Sequence, residues 1–203
     1  MVRAILDGRK AVTRRIIKPQ PGRTAKFVTD NLLPETVEAG SGGVYCFRDG
    51  TVIGAPHQAG DILYVRETWA EVGGFSPQIG EFWQQYIYKA TYKPNFDLDV
   101  PSIKWHPSIH MPKEAARLFL RVTGVQVERL QDITSEQIDA EGCKEYGYNA
   151  KTGELMPSSP TFFKISWDNT VKKSDLDRYG WKANPWVWVI EFERISKVEA
   201  LKK

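Results

Sequence analysis

The first residues with the makings of chemistry are Gly8-Arg9-Lys10-Ala11-Val12-Thr13-Arg14-Arg15. Read alone, they form a basic turn leading into an edge strand. Adjacent guanidiniums such as Arg14 and Arg15 suit bidentate phosphate contacts. Both belong to a wider cluster. Residues 1–26 carry eight basic side chains against the single acid Asp7, a sum of +7, which leaves −4 for the rest of a chain of net charge +3. Such a cluster on a nearly neutral body is either a phosphate footprint or a solvated arm, and charge alone does not separate the two. Downstream, Arg66, Glu67 and Trp69 lie at and just past a strand end, a usual place for pocket residues, and are candidates for substrate or phosphate binding. Seven tryptophans and eight tyrosines offer stacking platforms for a base, with core packing the competing reading for most, Trp69 included. His106 and His110 have the i,i+4 spacing of two zinc ligands on a helix. Pro107 stands between them and no third ligand is near, so no metal or other cofactor is expected.

The elements that must position these residues follow from periodicity and punctuation. Residues 2–7 suit a short helix stopped by Gly8, and the β-branched, basic stretch Lys10 to Ile17 ends at the breaker Lys18-Pro19-Gln20-Pro21-Gly22. Residues 22–43 show no period and read as a surface excursion with a flexible tip. Residues 44–53 read as a β-hairpin turning at Arg48-Asp49-Gly50. Strands are expected at Ile62 to Arg66, at Tyr86 to Tyr92 with Tyr86, Tyr88, Ala90 and Tyr92 on one face, and at Leu118 to Leu130. Residues 93–113 carry four prolines and read as ordered loop. Thr134 followed by Gln137 is a capping-box start for a helix ending at Gly142. Residues 144–160 are turn-rich, Phe162 to Asn169 suits a helix, and Trp186 to Arg194 is a closing strand with Trp186, Trp188, Ile190 and Phe192 on one face. Strands, short helices and long loops in this order predict an α+β fold, a small β-barrel decorated with helices.

Composition bounds the rest. A chain of 203 residues with 41% hydrophobic and 26% charged residues is globular, and buries roughly 70% of its unfolded surface without staples. Cys46 and Cys143 follow no metal spacing and read as free buried thiols in a reducing compartment. No apolar run is long enough to cross a bilayer and no signal-peptide core opens the chain, which predicts a cytoplasmic protein without membrane association.

Gly-x-Lys-x-x-Thr-x-Arg after a short helix resembles the N-terminal signature of the ASCH family of PUA-like β-barrels. Further segments agree in order: Gly60-Asp61-Ile62-Leu63, then Arg66-Glu67-Thr68-Trp69 as in phage- and prophage-associated members, His110-Met111-Pro112 before a barrel strand, the helix over 130–142 ending in Glu-Gly, and the closing strand. The resemblance implies one ASCH domain over residues 1–203, with insertions at 22–59 and 144–160. Family members place a strand before the first helix. This chain opens almost at the helix, which predicts either a barrel lacking one edge strand or a start further upstream.

The resemblance also implies chemistry. Some bacterial members hydrolyse the amide of N4-acetylcytidine with a Lys, a Thr and a Glu, and these match Lys10, Thr13 and Glu141. Others are ribonucleases. A threonine hydroxyl needs a base, which a desolvated lysine can be, and a carboxyl can pass the proton to the leaving amine. The cations beside Lys10 favour its neutral form. Geometry sets a condition, since residues three apart fall on opposite faces of a regular strand and Lys10 and Thr13 converge only if the segment bends. Plain readings stay open: Lys10 as a phosphate contact, Thr13 as a β-former, Glu141 as a helix-end carboxylate. The expectation is a monomeric hydrolase of RNA or a modified nucleoside, with a non-catalytic reader or a phage accessory protein as the alternatives.

Overall fold

The computed structural model describes residues 1–21, 44–46, 52–76, 80–93, 103–143, 147–148, 155–156 and 160–202. Its centre is β10 (Trp186–Ile195), flanked by β1 (Val12–Ile16) on one side and β7 (Phe119–Arg129) on the other, with β4 (Ile62–Tyr64) beyond β7. Every pairing in this sheet is antiparallel. The sheet curls into a half-barrel, and the architecture is α+β. A bulge assists the curl: Glu191 pairs with Gly124 and Phe192 with Val122, so Thr123 is the extra residue on β7.

Residues Trp186–Ile190 are buried without a break because both faces of β10 are covered. Trp186, Trp188 and Ile190 pack with Ile17, Val122 and Val127 on one face. Val187 and Val189 pack on the other with Val12, Leu130, Ile138, Phe163 and Trp167. That second layer comes from α2 (Ser135–Ala140) and α3 (Pro160–Thr170). Each large apolar side chain so buried contributes about 1.5–3 kcal/mol. Phe192, expected on the tryptophan face, instead joins Ile5, Leu118 and Leu120 beyond the bulge.

Local signals account for the ends of the helices. The helix α1 (Val2–Leu6) stops at Gly8, whose φ of 71° is open to glycine. In α2 the Thr134 hydroxyl accepts from the Gln137 amide while the Gln137 side chain accepts from the Thr134 amide, the expected capping box. The pair β2 (Val44–Cys46) and β3 (Val52–Gly54) forms as expected, whereas its turn and the 22–43 excursion fall outside the described residues. Ile53 and Ala55 pack against the tryptophan-face core.

Two expectations need correction. The strand placed at Tyr86 to Tyr92 is β6 (Glu81–Tyr88), because the Thr91 and Tyr92 amides both donate to Tyr88 O and close a turn there. Its partner is β5 (Trp69–Ser76), a strand that no turn signal in the sequence separates from the segment before it. The turn-rich 144–160 segment contains β8 (Gly147–Tyr148) paired with β9 (Leu155–Met156). Short helices α4 (Leu176–Tyr179) and α5 (Lys197–Ala200) flank β10. Among the described residues no helix is long and apolar enough to cross a membrane.

Candidate active site

The segment after α1 bends before it enters β1. The Arg9 and Lys10 amides both donate to Ala4 O, at 2.8 and 3.0 Å, which wraps the chain back over α1. Lys10 then bridges to Glu141 and the Ala11 amide donates to Ala140 O, so this stretch pairs with the end of α2. One residue later the chain passes to β10, with Val12 opposite Glu191 and Thr13 opposite Ile190. Lys10 thus leaves the strand's alternation and reaches Glu141 across 131 residues of sequence.

Gly142 makes this approach feasible. Its φ is 82°, and a Cβ built there would lie 2.8 Å from the Ala4 Cβ and 3.1 Å from the Lys10 Cβ. The Glu-Gly ending of α2 is therefore steric: only a residue without a side chain lets α1, Lys10 and the C-terminus of α2 meet.

At the meeting point four charges form one network. Lys10 Nζ donates to Glu141 Oε2 at 2.6 Å, to Glu141 O at 3.0 Å and to Val12 O at 2.7 Å. These three acceptors account for all three protons of an ammonium. Arg14, its side chain 1% exposed, donates from Nε and Nη2 to Glu128 Oε1 at 2.9 and 2.5 Å and from Nη1 to Glu141 Oε1 at 3.4 Å. Two cations and two carboxylates cancel, which is how such charges survive burial. Cys143 borders the network as a free thiol. Burial first, then the Glu141 carboxylate, pushes its pKa above the ordinary value, with Lys10 acting in the opposite direction.

Lys10, Arg14 and Glu141 of this network line the floor of a cleft of about 280 Å³ at the outer edge of β1, where Thr13 and Arg15 meet the flank of α3. Thr13 and Arg15 project from the side of β1 opposite Arg14, so the cleft is bordered from both faces of the edge strand. The Thr13 hydroxyl has no hydrogen-bond partner among the described residues, and Lys10 Nζ spends its donors elsewhere. No family model, curated protein or solved structure matches the chain.

Arg66, Glu67 and Trp69 lie elsewhere. Glu67 is buried and accepts two bonds of 2.8 Å from Arg117, whose guanidinium sits 3.9 Å from the Tyr88 ring centroid. Trp69 is core, stacked on His106 at 4.9 Å and edge-on to Tyr86 at 5.6 Å. Arg66 is exposed and donates to Ile109 O. None of the three lines the cleft. Conversely, Glu128 and the cleft-facing residues of α3, Phe162, Ser166 and Thr170, received no role from the sequence. The helical spacing of these three residues was a readable signal, whereas nothing local distinguishes Glu128 from any other strand carboxylate.

Proposed function

We propose that the chain is an ASCH-type, PUA-like hydrolase that accepts a modified nucleoside, of the N4-acetylcytidine kind, in the cleft at the β1 edge. The observation that carries this reading is that Lys10, Thr13 and Glu141 line one cleft, with Lys10 Nζ 2.6 Å from Glu141 Oε2. In the reaction, Lys10 hands a proton to Glu141 and as the free amine takes the proton of Thr13. The Thr13 oxygen attacks the acetyl carbon. The carbon–nitrogen bond to N4 breaks as Glu141 returns its proton to the leaving amine. Water then hydrolyses the acetyl-threonine ester, releasing acetate and restoring the hydroxyl.

A second reading, a non-catalytic binder of RNA or modified bases, is favoured by one observation. The three acceptors on Lys10 do not include Thr13, so proton abstraction requires one of those bonds to give way. Release of cytidine from N4-acetylcytidine, followed by chromatography, separates the two. Wild type should turn over, and Lys10→Ala and Glu141→Ala should lose about a hundredfold or more. Thr13→Val leaves the ion network intact and is the informative variant should the others fail to fold. An inactive, folded wild type removes the amidohydrolase reading for this nucleoside, and salt-dependent RNA binding without turnover then identifies the reader.

A further inference from the structure

The N-terminal basic cluster is largely spent within the protein. Arg3 donates to Ala90 O, and Arg9 to Asp7 and to Gly142 O. Lys10 and Arg14 belong to the buried network. The Lys18 ammonium lies 4.7 Å from the Tyr179 ring centroid. Arg23 and Lys26 fall outside the described residues. Arg15 differs from the others: it is exposed, it lines the cleft, and it has no ion-pair partner among the described residues. Above a floor whose charges cancel, this leaves one guanidinium for an anionic ligand.

The opposite wall supplies an aromatic surface. On α3, Phe163 and Trp167 are buried in the core, whereas Phe162 keeps 39% of its surface exposed and lines the cleft, with the Ser166 hydroxyl one turn further on. A cleft of about 280 Å³ lies at the small end of ligand sites, room for one nucleoside-sized molecule. Thr13 and Arg15 share one side of β1, so an anion held by Arg15 keeps its ligand alongside the Thr13 hydroxyl.

We infer that the cleft recognises a single nucleotide, a planar base against Phe162 and one phosphate on Arg15, rather than a strand of RNA, an inference that rests on the cleft being the binding site. A polynucleotide tract needs several cations along a groove, whereas Arg15 is the one side-chain cation lining the described part of the cleft that has no ion-pair partner among the described residues. One charge-assisted contact, by contrast, suffices to separate a nucleoside monophosphate from its nucleoside.

The test is calorimetric titration of wild type, Arg15→Gln and Phe162→Ala with N4-acetylcytidine, its 5′-monophosphate and a ten-nucleotide single-stranded RNA. Wild type should bind the monophosphate roughly tenfold more tightly than the nucleoside, as one charged hydrogen bond implies. Arg15→Gln should abolish that advantage, Phe162→Ala should weaken both small ligands, and the RNA should bind no more tightly than the monophosphate. Equal affinity for the two small ligands overturns the inference. So does tighter RNA binding with a salt slope of several phosphates. If wild type releases cytidine while both variants bind like wild type, the hydrolase reading stands and the single-nucleotide inference alone is lost. If wild type binds neither small ligand, both fall.

Discussion

Replacing Gly142 by alanine puts the geometry of the site to a quantitative test, with Gly8→Ala as its internal control. Both glycines have positive φ, 82° and 71°, so an alanine at either suffers backbone strain of about 1–2 kcal/mol. Both substitutions also remove the same freedom from the unfolded chain, a gain of about 0.4–1 kcal/mol that cancels between them. The surroundings differ. A Cβ at Gly8 meets nothing within 4 Å, whereas one at Gly142 lies 2.8 Å from the Ala4 Cβ and 3.1 Å from the Lys10 Cβ. Ordinary carbon–carbon contacts are about 3.5–4.0 Å, so the overlap with Ala4 is at least about 0.7 Å. Neither opposing atom can rotate away, because a Cβ is fixed to its backbone. The overlap must be relieved by moving α1 or the end of α2, which costs about 1–3 kcal/mol beyond the strain.

Urea unfolding followed by tryptophan fluorescence reads that difference directly. With a denaturant slope of about 2 kcal/mol/M, the Gly142→Ala midpoint should fall about 0.5–1.5 M below that of Gly8→Ala. The same displacement stretches the contact between Lys10 and Glu141, so Gly142→Ala should also be the less active variant. Equal midpoints for the two substitutions would refute the close approach, and with it the explanation of why α2 ends in Glu-Gly.

Two further outcomes follow from titrating groups. Cys143 should alkylate with a pH midpoint above the ordinary thiol value of 9.0, and Glu141→Gln should lower that midpoint because a raising charge is removed. Iodoacetamide rates resolved peptide by peptide separate it from Cys46, and a midpoint unmoved by the substitution would place the carboxylate elsewhere. Burial pushes the Tyr88 phenol above its ordinary value of 10.0, with Arg117 partly offsetting it. Above that pH the unfolded chain loses this proton first, so the folded state binds more protons and stability falls as pH rises. Wild type should therefore lose stability faster than Tyr88→Phe above about pH 10, and parallel urea midpoints across that range would contradict the assignment.

Much of this arrangement was legible because its signals are local. The Thr134–Gln137 capping box, the Gly8 stop, the Phe162 to Asn169 helix and the apolar run from Trp186 are each written within a few residues, and each appears where expected. The β5–β6 ribbon was half seen, since the turn at Tyr88 is made by backbone amides that leave no side-chain signature. Charge partnerships were not legible at all. Arg14 and Arg15 are adjacent and chemically identical, yet strand alternation sends one into a pocket with Glu128 and Glu141 and leaves the other exposed. Only the register of β1 on β10 and of β10 on β7 decides which arginine is consumed, and register is a property of three strands rather than of one.

The same register explains why a catalytic reading and a structural reading compete at Lys10. Glu128 lies opposite Val187 and Arg14 opposite Val189, so Arg14 reaches diagonally over β10 to its partner and brings a second cation to Glu141. Glu141 is therefore gripped through both oxygens, Oε2 by Lys10 and Oε1 by Arg14. A carboxylate gripped in this way cannot swing, which suits a proton acceptor that must stay 2.6 Å from Nζ. It equally suits a buried brace. The two roles separate at the Thr13 hydroxyl, which makes no hydrogen bond to the brace and is indispensable only to the proposed chemistry. Thr13→Val should leave the unfolding midpoint close to wild type while removing turnover, an outcome that a purely structural network cannot produce.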